Sequence, residues 1–132
     1  MRYVPPFARI KDRLRISQLK GGSARVATTY EELVRTIQLL LVGLEVDEAW
    51  YLEQNEDVAQ GIQAGTIKSA KQHFLDHGYF EGRAPFSMAV DETWYLATNA
   101  DVAEQVQLGK FESGQAHFNK SGYHEGRPPR PT

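Results

Sequence analysis

Apolar side chains follow three different rhythms along this chain. Between residues 29 and 44, Leu33, Val34, Ile37, Leu40, Leu41 and Leu44 recur at helical spacing, which predicts an amphipathic helix. Thr28 or Thr29, followed three residues later by Glu31 or Glu32, reads as a capping box. In that motif the hydroxyl satisfies an amide at the helix start while the glutamate reaches back to the cap. Residues 1 to 28 lack such a stripe. They hold Pro5, Pro6 and the turn Gly21-Gly22-Ser23, with short runs such as RLRIS and ARVAT that suit extended backbone. An irregular or partly β arm is expected there.

The third rhythm is a duplication. Residues 46–85 lie over residues 90–129 without a gap, at a constant offset of 44, with 21 of 40 positions identical. Each copy reads as three short helices. The first opens at Asp47 or Asp91, whose carboxylate can cap free amides at the positive end of the helix dipole. Asn55 or Asn99 breaks it, and Val58, Ala59 and Ile62 (Val102, Ala103 and Val106) carry a second stripe that ends at Gly65 or Gly109. Ser69 or Ser113 caps a third helix, which holds His73 and Phe74 (His117 and Phe118) and stops at Gly78 or Gly122. Helices this short are marginal alone, so they must pack on one another. The expected fold is all-α: two tandem 44-residue three-helix repeats, 46–89 and 90–132, stacked with a capping helix at 29–45 and preceded by the arm at 1–28. Residues 29–132 are expected to form one globular domain.

Composition narrows the class. At 132 residues, 41% hydrophobic and 24% charged, the chain has the bulk character of an ordinary single domain. It contains no cysteine, which excludes disulfide staples and thiolate metal sites. The start has no apolar leader core, and the longest apolar run, LLLVGL, is far below the roughly 18 residues that span a bilayer. A cytoplasmic location with no transmembrane segment is expected. The net charge of -2 conceals an asymmetry. Arg2, Arg9, Lys11, Arg13, Arg15, Lys20 and Arg25 face only Asp12 within residues 1 to 30, leaving a basic arm on an acidic body. The arm lacks the interleaved aromatics of a single-strand binder and the regular amphipathicity of a membrane helix. A protein partner, or an acidic surface of a second copy, is therefore its expected target.

The strongest candidate binding set is Trp50, Tyr51, His73, Tyr79 and Arg83, duplicated as Trp94, Tyr95, His117, Tyr123 and Arg127. Aromatic faces beside a guanidinium fork suit a sugar or a peptide, and the arginine alone could grip a carboxylate ligand. The competing reading is structural, because aromatic positions kept in tandem copies serve core and inter-repeat packing. On that reading Arg83 and Arg127 hydrogen-bond helix-end carbonyls or the cap aspartate of an adjoining unit. His73 and His77 sit one helical turn apart beside Asp76, but Ser121 stands where the second copy would repeat His77, so no metal is expected. No GxSxG, phosphate loop or GxGxxG occurs, so neither enzymatic activity nor a cofactor is expected.

Asp47, Trp50, Tyr51, Leu52, Asn55, Asp57, Val58 and Ala59, then His73, Phe74, Gly78, Glu81, Gly82, Arg83 and Pro85, make a pattern that repeats from Asp91 to Pro129. It resembles a short bacterial tandem repeat, DxxYYLxxNPDVA...HFxxxGxxEGRxP, found beside glycosyltransferases, methyltransferases and polysaccharide-related or surface proteins. Glu56 and Ala100 replace the proline of that pattern, and the first 45 residues lie outside it. The resemblance implies an accessory module of a polysaccharide or cell-envelope system. The expected function is a non-catalytic interaction or assembly module; a carbohydrate-binding accessory using the repeated aromatic and Arg set, and a nucleic-acid-associated protein using the arm, stand as alternatives.

Overall fold

The computed structural model describes residues 5–14 and 26–132. Every regular element among them is helical, as the apolar periodicity predicts. The chain divides into two compact units, Met1–Glu45 and Val46–Thr132.

The first unit contains α1 (Phe7–Arg13) and α2 (Tyr30–Leu41), which pack together. Helix α1 departs from the irregular or partly β course expected of the arm. Its cause is visible in retrospect: Phe7, Ile10 and Leu14 fall at helical spacing, and Pro6 precedes the first turn with φ −66°. Lys11 and Arg13 occupy the last turn, where the helix dipole favours cations. In α2, the Thr29 hydroxyl accepts the Glu32 amide at 3.1 Å. This is the side-chain-to-amide half of the capping box. The buried residue of α2 is Thr36, whose hydroxyl donates to the Glu32 carbonyl at 2.8 Å, whereas Leu33 and Leu40 stay 42% and 45% exposed. Helix α2 thus falls in a compact unit with α1, while the sequence grouped it with the repeats as their cap.

The second unit is the duplicated region, and its copies fold alike. The first contains α3 (Glu48–Gln54), α4 (Glu56–Gln63) and α5 (Ala70–His73), and α5 runs on as a π-helical turn, Phe74–Gly78. The second contains α6 (Glu92–Thr98), α7 (Ala100–Gln107) and α8 (Gly114–His117), continued by the π turn Phe118–Gly122. Asp47 and Asp91 cap the first helices by accepting the Trp50 and Trp94 amides at 3.0 and 3.1 Å. Ser69 and Ser113 cap the third helices at 3.1 Å each. Glu48 adds a second cap there by accepting the Lys71 amide at 3.0 Å, and Glu92 does the same for Gly114 and Gln115. The paired acids Asp47-Glu48 thus serve two different helix starts.

Each copy closes on itself. The Asp47 amide donates to the Pro85 carbonyl at 3.0 Å, and the Asp91 amide to the Pro129 carbonyl at 2.9 Å. The three helices of each copy pack mutually around one small core: Tyr51, Val58 and Phe74 in the first, Tyr95, Val102 and Phe118 in the second. In both cores the tyrosine ring meets the phenylalanine edge to face, with centroids 6.0 Å apart.

The π turns have a steric cause. Tyr51 is fully buried, and its hydroxyl points at Gly78, the last residue of the π turn, where a Cβ would overlap it. Tyr95 and Gly122 repeat the arrangement. Wide π hydrogen bonding, from the Tyr79 amide to the Phe74 carbonyl at 3.0 Å, gives the helix the extra residue that brings glycine under the phenol.

Candidate functional site

The repeated set divides into three groups of different fate. Tyr51 and His73, with Tyr95 and His117, are internal. The Tyr51 hydroxyl shares a 2.8 Å hydrogen bond with His73 Nδ1, and Tyr95 and His117 share one of 2.9 Å. Burial is the main cause that pushes Tyr51 up to about 12, so the phenol keeps its proton. Burial also holds the His73 imidazole below its ordinary value, with the Arg83 charge acting in the same direction. Glu81 Oε1 lies 3.9 Å from His73 Nε2, which favours the ring proton on that nitrogen and leaves Nδ1 to accept from the phenol.

Arg83 and Arg127 form the second group, and their partners lie within their own repeat. Arg83 donates through both terminal nitrogens to Asp57 at 2.9 Å, and through Nη1 to Asn55 Oδ1 at 3.0 Å. Arg127 does the same to Asp101 and Asn99. The asparagine is the junction: Asn55 Nδ2 donates to the Tyr51 carbonyl at 2.7 Å, at the break between α3 and α4. Neither helix-end carbonyls nor the cap aspartate of an adjoining unit, the partners expected from sequence, receive these guanidinium bonds. The ion pairs also act on the acids, since hydrogen bonding from Arg127 holds Asp101 down at about 2 and that from Arg83 lowers Asp57. Sequence reasoning missed Asn55 and Asp57 as partners of the arginine. Their signal was present: Asn, Asp and Arg are each kept at the 44-residue offset.

No protein-family model, curated protein or solved structure matches this chain. Its function must be read from its own surfaces.

Trp50, Trp94, Tyr79 and Tyr123 make the third group, and here the copies differ. Trp94 and Tyr123 pack on the core of the second copy, and Tyr79 meets Phe74 edge to face at 6.1 Å just as Tyr123 meets Phe118. Tyr79 is 40% exposed. Trp50 and Tyr123 meet at a cleft of about 520 Å³ between the repeats, and Arg83 lies in its wall. From the first copy Gln54, Asn55 and Glu81 join that wall; from the second come Ala116, Asn119, Lys120 and His124. Of the expected set, the cleft therefore gathers Trp50, Arg83 and Tyr123 and leaves the rest outside.

The repeats meet head to tail. His124 sits over Gly82, which adopts φ +80°, and a Cβ on this glycine would collide with the imidazole. The matching Gly126 has φ +78°, and a Cβ there would meet nothing within 4 Å. One face is thus used in the first copy and open in the second.

Of the arm cations, Arg9, Lys11 and Arg13 lie on α1, where Lys11 Nζ stands 5.5 Å from the Phe7 ring centre. Arg2, Arg15, Lys20 and Arg25 lie outside the described residues. The His73 and His77 rings are 5.7 Å apart. Among the described residues no group of three or more His, Asp or Glu side chains is placed to share a metal ion. No described helix is long and apolar enough to cross a membrane.

Proposed function

We propose that this chain is a non-catalytic interaction or assembly module whose partner docks on the open face of the second repeat. The observation that carries this reading is the pair Gly82 and Gly126: the same turn is covered by His124 in one copy and bare in the other. A face already able to receive a turn of this chain needs no new geometry to receive one from another protein. The groups a catalyst would recruit, Tyr51, His73 and Arg83, are committed to hydrogen bonds within the first repeat, which favours a binding role. The resemblance of the repeat to those found beside polysaccharide-related proteins supports placing this module as an accessory of a bacterial polysaccharide or cell-envelope system.

Thr98 and Pro128 flank the open face at exposed positions, matching Gln54 and Ala84 of the cleft. Affinity capture from the native cell by the full chain should retain one defined protein. Thr98→Glu together with Pro128→Glu should reduce that retention at least tenfold while leaving the thermal midpoint in place. Retention unchanged by the double variant, or no protein retained by the wild-type chain, overturns the proposal.

A further inference from the structure

The inter-repeat cleft offers a second surface, distinct from the open face and independent of any partner bound there. We infer that it is a binding site for a neutral oligosaccharide. Its volume of about 520 Å³ falls within the roughly 300–1,000 Å³ range of small-molecule sites. Two rings stand in its wall, Trp50 from the first repeat and Tyr123 from the second. Tyr123 packs on the core of its repeat, which fixes it in place. Apolar faces of sugar rings stack on such platforms, and an amphipathic ring tolerates the wet edge of a cleft.

The polar groups beside the rings suit hydroxyls. Gln54 presents a side-chain amide, which both donates and accepts, as does a sugar hydroxyl, and Asn119 adds a second amide, whose Oδ1 accepts from Gln115 Nε2 at 3.0 Å. Charge in the cleft is balanced. Glu81 lies 3.5 Å from the Arg83 guanidinium, whose fork is closed on Asp57 and Asn55, and Lys120 Nζ stands 5.9 Å from the Phe111 ring centre. A polyanion such as a nucleic acid or a sulfated glycan would find Arg83 and Lys120 already engaged and would meet the Glu81 carboxylate, so the site does not select it. A neutral, hydroxyl-rich ligand avoids that conflict.

The duplication supplies the second argument. Ala116, Asn119, Lys120 and His124 of the cleft wall replace Gln72, Leu75, Asp76 and Phe80 at the matching positions of the first copy. The residues that build the fold, Tyr51, Asn55, Asp57, His73, Phe74, Gly78 and Arg83, are instead the same in both copies. Divergence on this wall therefore changed the cleft and spared the scaffold. Ala116 for Gln72 removes bulk, and Asn119 for Leu75 exchanges an apolar group for an amide.

The test is a glycan array carrying neutral, sialylated and sulfated oligosaccharides, probed with the full chain, followed by calorimetry on maltotriose, cellotriose and chitotriose. Neutral members should bind, and Gln54→Ala or Asn119→Ala should weaken calorimetric affinity at least tenfold without moving the thermal midpoint. Ala116→Arg, which fills the cleft, should abolish binding. Should that variant fail to fold, the two alanine variants still decide. Asp76→Ala, at the position that matches Lys120 and lies outside the cleft, should bind as the wild type does. Absence of any bound neutral glycan, binding confined to charged glycans, or affinity indifferent to Gln54 and Asn119 overturns the inference. None of these outcomes depends on the open face, so the two proposals fail separately.

Discussion

Gly78→Ala should destabilise the repeat domain by roughly 2–4 kcal/mol, the combined cost of overpacking a filled core and breaking a buried hydrogen bond. The new methyl group would overlap the Tyr51 hydroxyl. Tyr51 cannot swing aside, because it is 0% exposed, its ring is held against Phe74, and its hydroxyl is bonded to His73. The clash is with one oxygen atom, which permits a sharper test than the single variant. Tyr51→Phe removes that oxygen and should cost only about 1 kcal/mol by itself. In the Tyr51→Phe background Gly78→Ala should then cost at least ~1 kcal/mol less than in the wild type, a coupling typical of residues in contact. Urea unfolding of the four proteins measures it. Additive costs would mean that the phenol does not dictate the glycine. Gly122→Ala with Tyr95→Phe should reproduce the cycle in the second repeat, since a Cβ on Gly122 would overlap the Tyr95 hydroxyl.

Arg83→Ala should cost on the order of 1–3 kcal/mol, and Arg127→Ala a similar amount. Most of this does not come from the ion pair. Asp57 is 64% exposed, so solvent and salt screen its attraction to the guanidinium. The larger loss falls on Asn55, which links the guanidinium to the Tyr51 carbonyl where two helices meet, and on the stem of an arginine side chain only 23% exposed. Arg83→Lys should not restore stability, because one ammonium cannot serve two carboxylate oxygens and an amide oxygen in a plane. Chemical denaturation of the three variants checks this. Unfolding midpoints equal to the wild type, accompanied by lost partner capture, would return the arginine to a ligand site.

Much of this fold is legible in the sequence because its determinants are local. Thr29, Asp47, Ser69 and their counterparts announce helix starts through side chains that reach an amide three residues on. The duplication shows which positions carry the core. What escapes is longer in range or finer in geometry. The π turns leave no trace in the hydrophobic rhythm, since Phe74 and Gly78 fit an ordinary helical spacing equally well. Glu48 reads as one of a pair of exposed acids until folding brings the Lys71 amide to it across 23 residues. Helix α1 is missed because Pro5-Pro6 and the dense charge draw attention from the sparse stripe of Phe7, Ile10 and Leu14. The cleft is the least legible feature. It arises where unlike residues of two like repeats meet, so no pattern common to both copies can reveal it.

Tyr51, His73 and Arg83, with their counterparts Tyr95, His117 and Arg127, serve as internal scaffold. Nitrogen-resolved NMR of the imidazoles across pH tests this most directly. His73 should titrate below 6.5, its ordinary value, with an unprotonated Nδ1 correlated to a slowly exchanging Tyr51 hydroxyl proton. The sign follows from linkage. An imidazole whose folded value is depressed contributes stability that is full above 6.5 and is lost as pH falls through the folded value. Midpoints of unfolding should therefore decline on acidification from that point. A His73 that titrates at or above 6.5, with no protected tyrosine hydroxyl, would contradict the account and make the set an open site.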